Sequence, residues 1–155
     1  MKDVDEIVRR MSLDEKIALM AGGDAWHISG VPSAGLSPIM ITDGPHGLRK
    51  QMEGSDNLGQ QESVPATCFP PACLMASSWD ENVPYMVGQA LGEECIAEDV
   101  AVVLGPGVNT KRSPLCGRCF EYYSEDPYLS GKTCIDCTLV YILCASFPPD
   151  GVESS

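Results

Sequence analysis

Two short segments of this chain, PIMIT at residues 38–42 and VAVVLGP at residues 100–106, are apolar without polar alternation. A strand with one face in water alternates; a strand covered on both faces does not. Between them lies DENVPYMVGQALGEECIAED, residues 80–99, with Asp80 placed to cap a helix and Pro84 confined to its first turn. Val83, Val87, Ala90, Leu91 and Cys95 form its apolar stripe. Apolar strands separated by a helix predict βα units with parallel strands, so the fold class is α/β. In such sheets ligands collect at the carboxyl ends of the strands. Asp43 ends the first strand, and the loop from Lys111 to Arg118 follows the second.

The rest of the chain supports that frame. Residues 3–10 read as a short helix, and Ser12-x-x-Glu15 has the form of a capping box that opens a second. Leu13, Ile17 and Met20 share one face of this second helix, and Gly22 and Gly23 end it. AWHISGVPSAGLS (25–37) reads as loop, and residues 51–67 as polar loop. Residues 69–79 read as a short strand or turn leading to a helical piece, and a last helix is expected from Asp126 and Pro127. Trp26 and Trp79 are expected in the core.

Composition excludes some partners. With 155 residues the chain is one ordinary domain in size. Its 22 acidic residues against 10 Lys and Arg give a formal net charge of -12, which argues against nucleic acid and against anionic membrane. The N-terminus carries charges every few residues and lacks the apolar stretch of a secretory signal. No run approaches the ~20 apolar residues that span a bilayer. A cytoplasmic location follows, with the eight cysteines mostly reduced. His27 and His46 have no nucleophile suggested beside them, and Gly105 and Gly107 lack a phosphate-loop pattern.

From the residues alone, Asp43 in PIMITDGPHGLRKQ reads as a turn cap at least as readily as a ligand group. Further stretches add to it: SVPATCFP (63–70), ASSWD (76–80), LGEE (91–94), LGPGVN (104–109) and KRSPLCGRCFEYYSEDPYLSG (111–131). In this order and spacing they resemble the start of a glycoside hydrolase family 3 enzyme, a family of mostly retaining β-glucosidases and related exo-acting glycosidases. The resemblance implies a (β/α)8 TIM-type barrel, of which residues 1–132 would be the incomplete beginning, its first two to three βα units. It implies that Asp43 and Arg118 hydrogen-bond the hydroxyls of the cleaved sugar. Arg49 and Arg112 are further candidate pocket or loop-bracing residues. The substrate would be a small glycoside or oligosaccharide, with no cofactor.

Retaining glycosidases need two carboxyl groups roughly 5 Å apart. The family's nucleophile, its acid/base and its sugar-binding Lys-His pair have no matching positions here, so no catalytic residue is assigned. The chain alone is expected to be inactive, poorly stable and prone to aggregate. Glu121, Glu125 and Asp126 read as loop or cap residues. Residues 133–155 depart from the family pattern and are expected to be a frameshifted tail. A competing reading uses Cys116, Cys119, Cys134 and Cys137: two CxxC pairs at a spacing close to that of a four-cysteine zinc site, making a small zinc-binding or interaction module.

Overall fold

The computed structural model describes residues 4–52 and 62–135. Helices α1 (Val4–Arg10) and α2 (Leu13–Ala21) come first. Ser12 makes both bonds of a capping box: its hydroxyl accepts from the Glu15 N–H, and its own N–H donates to the Glu15 carboxylate at 2.8 Å. The apolar face of α2 is not buried, however. Leu13, Ile17 and Met20 are 72%, 57% and 88% exposed, because none of the described elements packs over that face.

The sheet has three strands in the order β1 (His27–Ile28), β2 (Ile39–Asp43), β3 (Val102–Leu104). β2 and β3 are parallel, pairing Ile41 with Val102, Thr42 with Val103 and Asp43 with Leu104. α3 (Ala72–Ser77) and α4 (Asn82–Ala97) fill the crossover between them. This is the α/β arrangement that the apolar strands imply.

Several expectations need correction. The loop expected at 25–37 contains β1, which pairs antiparallel with β2, and a 3-10 turn at Pro32–Ala34. A strand of two residues is held by its neighbour's backbone rather than by its own side chains. Residues 51–52 and 62–64, read as polar loop, join Lys50 in a short antiparallel pairing: the Val64 N–H donates to Lys50 O at 2.8 Å, and Gln51 bridges Ser63. β2 and β3 are not covered on both faces, since Ile39, Val102 and Leu104 are exposed. Trp79 is 77% exposed rather than in the core, with a left-handed φ of 54°.

The core lies between the crossover helices and the sheet. Pro84, Val87, Leu91 and Cys95 are the larger buried residues of α4, at the spacing of one helical face. Val87 joins Ala72, Met75, Ala76 and Tyr123 in one cluster, whereas Leu91 and Cys95 join Leu48 and Val100 in a second. Phe69 packs against both and links them. A further helix, α5, covers residues 127–135 at the end of the described residues. Asp126 caps it, its carboxylate accepting from the N–H groups of Tyr128 and Leu129. α5 passes the expected boundary at 132/133 without a break, with Thr133 buried and Cys134 against the first cluster. The rest of the expected 133–155 tail, from residue 136, lies outside the described residues.

Candidate functional site

β2 ends on half-buried Asp43, and the chain then doubles back over GPHGLR. Two bonds close the return: Arg49 N–H donates to Asp43 O at 3.0 Å, and the fully buried Thr42 hydroxyl donates to Arg49 O at 2.6 Å. Only glycine fits this turn at two places. Gly44 has φ 152° and Gly47 has φ 146°. A Cβ on Gly47 would lie 2.3 Å from the carbonyl oxygen of Thr67. The missing side chain is what lets residues 64–68 lie against the turn.

His46 fastens the turn to the crossover. Its Nε2 accepts the Ala72 N–H at 3.0 Å, at the start of α3, and its carbonyl accepts the Phe69 N–H at 2.8 Å. Burial lowers the imidazole pKa, with nearby Glu121 opposing in part. The neutral ring that results is the form able to accept the Ala72 proton. Glu94 braces the facing segment from α4, its carboxylate accepting the Thr67 N–H at 3.2 Å. Lys50, next to Arg49, instead reaches Glu98, donating to its backbone carbonyl at 2.5 Å.

These pieces wall an open groove of about 790 Å³. Asp43, His46, Arg49, Thr67, Cys68 and Leu104 line it, joined from the loop after β3 by Arg118, Phe120 and Glu121. The structure therefore brings Asp43, Arg49 and Arg118 to one cavity. Arg112 is exposed and is not among the lining residues of this groove; its N–H closes a tight turn on Thr110 O at 3.1 Å.

The guanidinium of Arg118 pairs with Glu121 three residues on and lies 5.9 Å from the centre of the Tyr122 ring. That hydrogen bond and the Glu121 charge raise the Arg118 pKa, so the cation is permanent. Glu121, expected as a plain loop residue, thus orients the groove's arginine; the Arg-x-x-Glu spacing is the signal that could have found it. Phe120, 62% exposed at the groove and edge-on to His46 at 6.5 Å, offers an apolar face. Carboxylate acceptor, guanidinium donors and an aromatic surface form a combination suited to a neutral polyhydroxylated ligand.

The four-cysteine zinc reading is not supported. Cys134 packs on the core cluster, while Cys116 is exposed in the groove loop and the Cys119 thiol donates to Ser113 O at 3.2 Å. Among the described residues no three His, Cys, Asp or Glu gather as a metal site requires. Cys137 lies outside those residues. No described helix is long and apolar enough to cross a membrane.

No protein-family model matches the chain. It is, however, 58% identical over 129 residues to the exo-α-(1→6)-L-arabinopyranosidase of Bifidobacterium longum, a match covering 83% of this chain and 17% of that protein. Among solved structures it is similar to the GH3 β-glucosidase of Bifidobacterium adolescentis, with a TM-score of 0.76 at 53% identity, covering 86% of this chain and 18% of the other. The β-glucosidase of Kluyveromyces marxianus in complex with glucose gives a TM-score of 0.82 at 34% identity, over 91% of this chain and 16% of that one. The chain spans about one sixth of the length of the relatives it matches. A solvent-facing groove at the carboxyl ends of two parallel strands, joined to this level of identity, leads to one conclusion: the chain belongs to glycoside hydrolase family 3.

Proposed function

We propose that this chain forms one wall of the sugar-binding subsite of a retaining, exo-acting glycoside hydrolase of β-glucosidase type. In this reading β2 and β3 are the first parallel strands of a (β/α)8 barrel. Asp43 accepts protons from two hydroxyls of the terminal sugar, and Arg118, oriented by Glu121, donates to a third. Arg49 flanks the same subsite, and Phe120 meets the less polar face of the ring. The nucleophile and the acid/base, needed roughly 5 Å apart, are supplied by residues outside this chain. The observation that carries the proposal is the convergence of Asp43 and Arg118, 75 positions apart in sequence, on a single groove. The names of the relatives support a glycoside as substrate.

The test is a chimaera in which residues 4–132 replace the matching part of the B. adolescentis β-glucosidase. The chimaera is expected to hydrolyse an aryl β-glucoside, and the 155-residue chain alone is not. An inactive but folded chimaera would overturn the proposal, as would hydrolysis by the isolated chain.

A further inference from the structure

The loop that brings Arg118 to the groove carries a cysteine on either side of it, and zinc does not account for the pair. Its backbone folds back twice. Cys116 N–H donates to Ser113 O at 3.1 Å, and Cys119 N–H donates to Cys116 O at 3.2 Å. The second bond closes a turn in which Cys116 and Cys119 are the end residues. The ends of such a turn lie within ~7 Å between Cα atoms, inside the range a disulfide can bridge. The two thiols are near enough to act on each other, Cys116 helping to raise the Cys119 pKa. Cys116 is exposed and Cys119 is partly covered.

We propose that Cys116 and Cys119 form a thiol–disulfide exchange site, closed by a small-molecule disulfide such as oxidised glutathione, which locks the turn carrying Arg118. The consequence for the groove rests on the sugar-site reading above; the closure itself does not. The exposed Cys116 thiolate attacks one sulfur of glutathione disulfide, whose S–S bond breaks and releases one glutathione. The Cys119 thiolate then attacks the Cys116 sulfur of the mixed disulfide and expels the second glutathione. The two cysteine protons end on the two glutathione thiols. One disulfide is reduced, and two cysteines are oxidised.

The division of roles follows from the surroundings. Burial and the neighbouring Cys116 raise the Cys119 thiol pKa, while Lys111 lowers it in part. Its proton is also held by the Ser113 carbonyl. Cys119 is therefore the poorer first nucleophile and the resolving one. The closing attack by Cys119 therefore quickens as pH rises. Arg118 lies inside the covalent ring that closure makes, so the groove's guanidinium loses backbone freedom when the pair is oxidised.

The full 155-residue chain is incubated with oxidised glutathione, acid-quenched, alkylated and digested with trypsin. Trypsin cuts after Arg118, so the peptides bearing Cys116 and Cys119 stay together only through a disulfide. Linked peptides that separate with dithiothreitol are expected, formed faster at pH 8.5 than at pH 7. In Cys119→Ser, Cys116 is expected to stop as a glutathione adduct. Both cysteines recovered alkylated, or both recovered as stable glutathione adducts, would overturn the proposal. In the chimaera, oxidation is expected to shift KM for the aryl glucoside and dithiothreitol to restore it, with Cys119→Asn unresponsive. An active chimaera indifferent to oxidation, with the peptides linked, would refute the lock on Arg118 alone. An inactive chimaera would count against the sugar-site reading and leave the peptide result to decide this one.

Discussion

Gly47→Ala tests the physical basis of the groove. The added Cβ would meet the Thr67 carbonyl oxygen at 2.3 Å, and the backbone holds φ 146°, where side-chain-bearing residues are strained. Thr67 cannot slide away freely. Glu94 holds its N–H, and two residues on Phe69 is bonded to His46 and packed between both core clusters. Backbone strain of this kind costs about 1–3 kcal/mol, and forcing atoms into a filled site about as much again. The total, on the order of 2–6 kcal/mol, is a large part of the ~5–15 kcal/mol that keeps a domain folded. Gly117→Ala is the control, since its Cβ meets nothing within 4 Å. The assay is the temperature at which the chimaera loses half its hydrolytic activity. Gly47→Ala is expected to lower it well below the parent and to raise KM, while Gly117→Ala leaves both near the parent values. Equal behaviour of the two variants would refute the reasoning.

Other expectations follow from the same contacts. Because burial depresses the folded-state pKa of His46, the unfolded chain takes up its proton first as pH falls below about 6.5. The stability this contributes is present above that pH and is lost below it. The parent's thermal midpoint is therefore expected to drop more between pH 7.5 and 5.5 than that of His46→Asn, measured side by side. Leu91 is fully buried between Leu48 and Val100, and Leu91→Ala is expected to cost about 2–5 kcal/mol, read as an early thermal midpoint. The isolated chain exposes Leu13, Ile17, Met20 and Leu104, and is expected to bind a hydrophobic dye and to scatter light as it associates. A monodisperse monomer that ignores the dye would contradict that.

What could be read in advance depended on whether the signal was local. The Ser12–Glu15 box, the α4 stripe and the end of β2 at Asp43 rest on patterns within one turn or one strand, and the structure has each of them. β1 was not legible, because a two-residue strand in a Gly- and Pro-rich stretch exists only through its pairing with Met40 and Ile39. The short pairing of residues 50–52 with 62–64 was hidden likewise by its polar composition. In α2 the periodicity was right, yet the face it marks is exposed, since an amphipathic pattern says nothing about what packs over it. Asp43 and Arg118 became groove candidates through the motifs around them. Nothing local marked Glu94 as the brace of Thr67, because that contact depends on how distant segments turn.

The central claim is that Asp43 binds the terminal sugar. Its most direct measurement is the inhibition constant of glucose for the chimaera with and without Asp43→Ala. Hydrogen bonds to a charged group are worth about 1.5–3 kcal/mol, so the constant is expected to rise roughly 10- to 150-fold. A constant unchanged in a folded Asp43→Ala chimaera would contradict the account.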